Sequence, residues 1–237
     1  MKDVTIVVLL QSIPNRIYHL FEDEGTLIRV EKGHHIFQEG ERAEDIFLIQ
    51  SGTIHIGKET ESGKELTIRI CGEGSVIGEC ALFCHTNYFA TTAKAVEPTS
   101  IYVINKNTLE LLLTEHPTLM VEYMKWLQTE NLKHQSRLRD LVLHGKKGAL
   151  FSTLIRLTNT YGKPLENGHV FIDCSLTNSD IASLCATSRE MINRMLNDLK
   201  KNNILSFNKG YITIHNLNYL KNEIDCENCP LSICRID

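Results

Sequence analysis

Eight cysteines stand in this chain of 237 residues, and three of them fall close together at its C-terminal end. Cys226, Cys229 and Cys234 form the pattern Cys-x2-Cys-x4-Cys, and Pro230 directly follows the second of them. Two thiolates two residues apart can grip one metal centre, and a proline straight after a ligand is a feature of iron–sulfur loops. Three thiolates leave one coordination position open, because a cubane cluster and a tetrahedral zinc ion both need four ligands. Asp225, Asp237, His144 and His215 are donors that could close the set, and spacing alone does not rank them. The other five cysteines fit no tight metal spacing. Cys71, Cys80, Cys84, Cys174 and Cys185 read as small apolar side chains of the core.

A second group has side chains suited to another chemistry. Thr187-Ser188-Arg189-Glu190-Met191-Ile192-Asn193-Arg194 opens a helix expected from Ser188 to about Lys201, with Thr187 as cap and Glu190 completing a capping box. Ile192, Met195, Leu196 and Leu199 give that helix one apolar face. A shorter helix, Asn178–Cys185, precedes it, capped by Thr177 with Asp180 and turning Ile181, Ala182 and Leu184 inward. Two short helices across a tight turn make a helix-turn-helix. Ile204–Phe207, a turn at Asn208-Lys209-Gly210 and Tyr211–Ile214 then form a hairpin wing. Arg189, Glu190 and Arg194 sit on the first two turns, opposite Ile192 and Leu196, where a recognition helix meets the major groove. Arginine can bond guanine O6 and N7 together, glutamate can accept from cytosine N4, and each good contact discriminates by about 1–3 kcal/mol. Asn193 adds a smaller contact, with Ser188 and Thr187 beside it. Lys200, Lys201 and Lys209 are suited to phosphates, which position without specifying. A solvated face would account for the arginines, and a helix cap for Glu190, only if each were taken alone.

These groups need elements to hold them. Pro117–Val142 reads as one helix of about 26 residues, free of glycine and of further proline, with Pro117 at its first position. An apolar stripe runs Met120, Met124, Leu127, Asn131, His134, Leu138 and Leu141, in alternating steps of four and three. That is a heptad seam, and polar Asn131 and His134 within it would fix register and strand number. A second stripe, Leu119, Tyr123 and Trp126, exists only in the first half. The first half is therefore expected to pack on its own domain and on a partner, and the second half on the partner alone. A helix buried within one globule is the plainer alternative, but it seldom reaches this length. His144-Gly145-Lys146-Lys147-Gly148 reads as a hinge. A helix from Ala149 to about Tyr161 follows, and Gly162 and Pro164 end it. Val170–Asp173 reads as a strand.

Upstream, short β-rich runs alternate with glycine turns: Leu27–Val30, His35–Phe37, Ile46–Ile49, Thr53–Ile56, Leu66–Ile70 and Ser100–Ile104, with Ser62-Gly63 as a hairpin signal. This pattern suits a jelly-roll or sandwich. Asn105 and its neighbours cap a short helix to about His116. Residues 1–140 carry 14 Lys+Arg against 20 Asp+Glu, and residues 141–237 carry 11 against 9, so the chain's net charge of −4 hides a slightly basic C-terminal part. Val4–Leu10 is too short an apolar run to span a membrane and lacks a cleavage signal, so a cytoplasmic chain without membrane contact is expected. Catalytic signatures such as Gly-x-Ser-x-Gly, a phosphate loop or His-Glu-x-x-His do not occur, which argues against an enzyme. The expected architecture is α+β. Residues 1–19 form an extension that caps the roll, 20–116 an antiparallel β-roll, 117–142 a dimerisation helix, 143–220 a winged helix-turn-helix and 221–237 a cluster-binding tail.

The first domain resembles the cyclic-nucleotide-binding β-roll through Lys32-Gly33, Phe37-Gln38-Glu39-Gly40, Ile46-Phe47-Leu48-Ile49, Ser51-Gly52 and Gly78-Glu79-Cys80-Ala81-Leu82-Phe83. In nucleotide-binding members the Gly-Glu segment opens a phosphate cassette, its Glu holds the ribose, and an Arg about ten residues on pairs the phosphate. Here Tyr88, Phe89 and Ala90 stand there, and no Arg or Lys occurs between Arg69 and Lys94. A buried phosphate without a cation is costly, so the roll is expected to be a scaffold that binds no cyclic nucleotide. Leu176–Ile214 resembles the DNA-binding domain of the CRP/FNR transcription regulators, with Ala186 where many members have glycine. The resemblance covers roughly residues 20–220. The cysteine tail, Arg139-Asp140-Leu141 and Gly145-Lys146-Lys147-Gly148-Ala149-Leu150 narrow it to the Bacillus-type FNR branch. That resemblance implies an oxygen-responsive activator of anaerobic metabolism, a homodimer on palindromic TGTGA-like sites in double-stranded DNA that contacts RNA polymerase. It implies one [4Fe-4S] cluster per subunit, held by Cys226, Cys229, Cys234 and, as fourth ligand, Asp140. A regulator of the same architecture gated by another ligand, with the tail a structural zinc or thiol-redox site, is the alternative.

Overall fold

The computed structural model describes residues 13–59, 65–85 and 87–237. The apolar run Val4–Leu10 and the Ser62-Gly63 turn lie outside the described residues. Helix α1 (Asn15–Glu24) turns Ile17 and Phe21 into the first core, so the capping role expected of the first 19 residues falls to a helix that crosses that boundary.

Eight strands build the roll as two four-stranded antiparallel sheets. One has the order β1 (Thr26–Val30), β8 (Thr99–Asn105), β3 (Asp45–Ser51), β6 (Val76–Ile77). The other has the order β2 (His35–Phe37), β7 (Thr92–Ala95), β4 (Ile54–Glu59), β5 (Glu65–Cys71). The short strands β6 and β7 were not legible in the sequence. Val76–Ile77 is only two residues long, and Thr92–Ala95 has no bulky apolar alternation. Between the sheets lie Ile46, Leu48, Ile54, Ile101 and a stack of Phe37 on Phe89 with ring centroids 3.9 Å apart. Phe89 is thus a core side chain of the roll. Cys71 is buried, as expected of a core thiol, but Cys80 and Cys84 are exposed and so are not core side chains. Cys80 lies within the 3-10 turn Glu79–Ala81, and Cys84 in the loop that leaves it.

Helix α2 (Lys106–Glu115) is capped by the Asn105 side chain, which accepts from the Asn107 amide at 3.0 Å. The long helix α3 runs Pro117–Tyr161. It does not stop at Val142; the expected five-residue hinge shrinks to one residue, Gly145, at φ 59° and ψ −150°. That backbone region belongs essentially to glycine. Leu119, Tyr123 and Trp126 bury against the roll, as the second stripe requires.

The second half of α3 corrects the sequence reading. Glu130, Lys133 and Asp140 continue the second stripe at heptad spacing and are 2%, 4% and 3% exposed. The inward face persists but becomes charged. Met124, Leu127, Asn131, Leu138 and Leu141 of the first stripe are exposed, and Met120 is half-buried. His134 turns toward Arg69 and Arg137, and burial lowers its pKa with those two cations adding to the effect.

Beyond α3, a sheet of order β11 (Leu205–Asn208), β12 (Tyr211–Ile214), β10 (Val170–Ile172), β9 (Gly162–Pro164) supports α4 (Asn178–Leu184) and α5 (Arg189–Lys201). Strand β9 replaces the plain helix stop expected at Gly162–Pro164. Helix α6 (Leu217–Asn222) leads into the tail, crossing the expected boundary at residue 220. Ile70 of β5 joins the core of this second domain, so the two domains share a seam. Among the described residues no helix is long and apolar enough to cross a membrane.

Two backbone substitutions should act in opposite directions. A Cβ at Gly145 would meet no neighbour within 4 Å, so Gly145→Ala should lose about 1–3 kcal/mol through backbone strain alone. Ala186 sits at φ 49°, and Ala186→Gly should gain about 0.5–1 kcal/mol. Urea unfolding midpoints measure both, and a stabilised Gly145→Ala would contradict the assigned break.

Candidate metal centre and nucleic-acid interface

The three tail cysteines come together. Cys226, Cys229 and Cys234 line one narrow cleft with Ser136, Arg139 and Asp140 of α3 before its break, Ser152, Ile155 and Arg156 after it, and Ile224 and Glu227. All three thiols are free of disulfides. Burial raises the Cys234 thiol pKa, Arg156 opposes that rise, and Cys226 and Cys229 add to it. The Ser136 hydroxyl lies 3.8 Å from the Cys229 sulfur. By contrast, burial pushes Cys71 up to about 11 and Cys185 up to about 12, so both stay protonated near neutral pH. Cys174, half-buried, rises to about 11 for the same reason.

Asp140 lines the same cleft. Its carboxylate accepts from Ser152 Oγ at 2.5 Å, from Arg156 Nη2 at 3.2 Å and from Arg139 Nη2 at 2.6 Å. Arg156 also donates to Ser136 Oγ at 2.8 Å and to the Ile233 carbonyl at 3.1 Å. One guanidinium therefore joins the long helix, the DNA-binding domain and the tail. Arg139 reaches Glu227 at 2.5 Å, a tail contact the sequence reading missed. The rival donors lie elsewhere: Asp237 pairs with Arg235, and His215 stacks on His169 at 4.4 Å. Asp225 and His144 do not line the cleft. Among the described residues no three His, Cys, Asp or Glu side chains stand arranged to hold a metal ion. The donor set nonetheless suits an iron–sulfur group, since three free thiols and the carboxylates of Asp140 and Glu227 line the cleft. Asp140 would exchange its arginine partners for metal.

The recognition helix is built as its pattern requires, with one shift. Ser188, not Thr187, is its cap: the Ser188 side chain accepts from Met191 N at 3.3 Å, and Thr187 Oγ1 has no partner. Glu190 is thereby the second helical residue and cannot close the expected box. Its pKa is lowered by its backbone hydrogen bond, then by Ser188. The upstream box, Thr177 with Asp180, forms as expected. Arg189, Glu190, Asn193 and Arg194 are all exposed on one face, while Ile192, Leu196 and Leu199 are buried. Asn193 Oδ1 accepts from Asn178 and Asn197, tying it to both helices of the motif. Lys209 is exposed at the wing tip with φ 49°. Lys200 lies over the Phe207 ring at 4.8 Å, so it braces the wing rather than standing free.

In the roll, Glu79 is already engaged. Arg69 donates to it at 2.7 Å, and both side chains are buried. A cavity of about 520 Å³ opens beside this pair, between the roll, α3 and the DNA-binding domain, and Leu138 and Leu141 line it.

Two family models match the chain: the cyclic nucleotide-binding domain over residues 27–116 and the Crp-like helix-turn-helix domain over residues 149–223. An anaerobic regulatory protein of Bacillus subtilis is 48% identical over 226 residues, 95% of this chain and 94% of that protein. A global nitrogen regulator of Synechocystis is 29% identical, covering 76% of this chain and 80% of the relative. Among solved structures, the c-di-GMP responsive global regulator CLP of Xanthomonas campestris superposes with a TM-score of 0.73 at 18% identity, over 85% of this chain and 99% of that one.

The Asp140–Arg156 pair yields a prediction for metal-free protein. Arg156→Met and Asp140→Ala should each destabilise by about 3–5 kcal/mol, since each strands a buried charge. The double variant should lose clearly less than the sum, as denaturant unfolding would show; strict additivity would contradict the pairing.

Proposed function

The chain belongs to the Crp/FNR family of DNA-binding transcription regulators, and on that premise we propose that it is an oxygen-responsive regulator of anaerobic metabolism gated by a [4Fe-4S] cluster in its tail. It is not an enzyme; regulators of this kind bind DNA and typically act as dimers. The observation that carries the finer reading is the convergence of Cys226, Cys229, Cys234 and Asp140 on one cleft beside the Gly145 break. The relative from Bacillus subtilis, an anaerobic regulatory protein, supports the anaerobic part.

When bound, the group supplies an inorganic centre that oxygen can dismantle. The protein's part is positional. Cys226, Cys229 and Cys234 bring the tail to the cleft, and Asp140 joins them to α3. A carboxylate is a harder and more exchangeable iron ligand than thiolate, which suits a centre meant to be lost. With these four residues engaged, α3 on both sides of Gly145 is braced by one tail. With them released, the DNA-binding domain can pivot at Gly145 and the DNA-competent geometry loses population.

The exposed stripe Met124, Leu127, Asn131, Leu138 and Leu141, with Met120 beside it, pairs with its copy in a second subunit, and His134 borders that seam. A partner helix there would also close the cavity that Leu138 and Leu141 line. Arg189, Glu190 and Arg194 then read TGTGA-like half-sites, helped by Asn193 and Ser188, with Thr187 and Lys209 at the margins. Two recognition helices stand roughly 34 Å apart. Cyclic nucleotide is not the effector, since Arg69 occupies Glu79 and Phe89 fills the core beside it. RNA polymerase is the further partner of such a dimer.

Anaerobic purification followed by iron and acid-labile sulfide analysis tests the reading. About four of each per subunit are expected in the native chain, by the stoichiometry of such a cluster. Asp140→Ala should retain less iron and lose it faster in air. Operator binding should weaken at least ten-fold once the metal is removed, a coupling of the usual allosteric size. A colourless, zinc-loaded tail, or equal operator binding with and without metal, would overturn it.

A further inference from the structure

The buried charges on α3 extend past the candidate metal centre and reach the roll. Arg69 Nη1 is 2.7 Å from Glu79 Oε1, and its Nη2 is 3.6 Å from Glu130 Oε2. Glu130 Oε1 is 2.7 Å from Lys133 Nζ, which donates to the Asp237 carbonyl at 3.1 Å. Charge alternates in sign from Glu79 through Arg69 and Glu130 to Lys133, whose contact with the tail is a backbone oxygen, and Arg69, Glu79, Glu130, Lys133 and Asp237 are each at most 9% exposed. Arg137 runs a second tie beside it, donating to the Ile68 carbonyl of β5 at 2.5 Å and to the Arg235 carbonyl at 2.8 Å. Burial, with Arg156 and Arg69 nearby, pushes Arg137 down to about 10. The tail is further received by Asn159, which donates to the Cys234 carbonyl at 2.8 Å, and by Thr160, whose hydroxyl accepts from the Ile236 amide at 3.1 Å.

We propose that tail residues Arg235–Asp237 act as a built-in effector of the roll: their docking is read, through Lys133, Glu130 and Arg69, by Glu79 in the cassette turn. Each buried charge in the series has its neighbour as its main compensation, so removing one weakens the hold on the next. The Gly78–Leu82 turn, with Gly78 at φ 83°, is the segment this series steadies on the roll side. The relay does not depend on which metal the cysteines hold. It gives the tail two attachments, the cleft at Asp140 and Lys133 at the far end of the series from Glu79, and so couples the roll to the hinge.

Amide hydrogen exchange on the full-length, anaerobically purified protein tests this. Glu79→Gln, altered only in the roll, should speed exchange of the peptide covering Cys234–Asp237 about ten-fold. Lys133→Met should speed exchange of the Gly78–Leu82 turn by a similar factor, because coupling is reciprocal. The double variant should be no faster at the tail than Lys133→Met alone. An unchanged tail in Glu79→Gln, multiplying effects in the double variant, or equal acceleration in strand β8 would each overturn the relay. Arg69→Lys, which keeps the charge and loses the planar fork, is read the same way should Glu79→Gln fail to fold. Iron content is measured on the same samples, so loss of the cluster reading and loss of the relay are told apart.

Discussion

A helix that buries charge must be given counter-charge, and the second half of α3 buries a great deal. Glu130, Lys133 and Asp140 lie on its inward face, with Arg137 beside them, and apolar packing cannot satisfy them. Their partners come from three directions: Arg69 from the roll, Arg156 from the DNA-binding domain, and the carbonyls of Arg235 and Asp237 from the tail. An uncompensated buried charge is expensive, so these pieces are held in one relative arrangement or the arrangement is abandoned. The alternative to close docking is a helix face opened to water. That makes the tail a structural member of the interdomain seam, whatever else it binds.

From this constraint the regulatory logic follows. The recognition helix is well formed on its own, with its cap, apolar face and exposed arginines all supplied locally. What the local sequence does not supply is where that helix points. The chain between reader and the first part of α3 passes through Gly145, the non-helical residue inside that helix. Orientation therefore depends on contacts that bypass the hinge, and those of Arg156 with Asp140, Arg139 with Glu227 and Arg137 with the Arg235 carbonyl do so.

Much of this was legible in the sequence. The glycine-punctuated roll, the second stripe of the long helix, the helix pair and the wing each followed from local patterns with strong periodicity or turn chemistry. The convergence of Asp140 on the tail cysteines was anticipated only through family resemblance, because nothing in spacing relates residue 140 to residue 226. The charged continuation of the second stripe was there to be read: Leu119, Tyr123 and Trp126 lead at heptad steps to Glu130, Lys133, Arg137 and Asp140. Polar side chains at those steps look like a solvated face until their partners are known, and those partners lie from 16 to 104 residues away. The exchange of Thr187 for Ser188 as cap is a one-residue ambiguity that two adjacent hydroxyl residues always pose. Cys80 and Cys84 were misassigned to the core because a cysteine says little about burial when no periodic pattern surrounds it.

The most direct test of the central claim measures the distance between the two recognition helices of a dimer. A spin label carried by a non-natural side chain at exposed Asp198 on α5 reports it by pulsed electron resonance. With the tail engaged, a single narrow distribution is expected, consistent with helices roughly 34 Å apart. In the Cys226→Ser, Cys229→Ser, Cys234→Ser triple variant the distribution should broaden and shift while the fold of each domain persists. An identical narrow distribution in both proteins would contradict the claim that the tail sets the posture of the DNA reader.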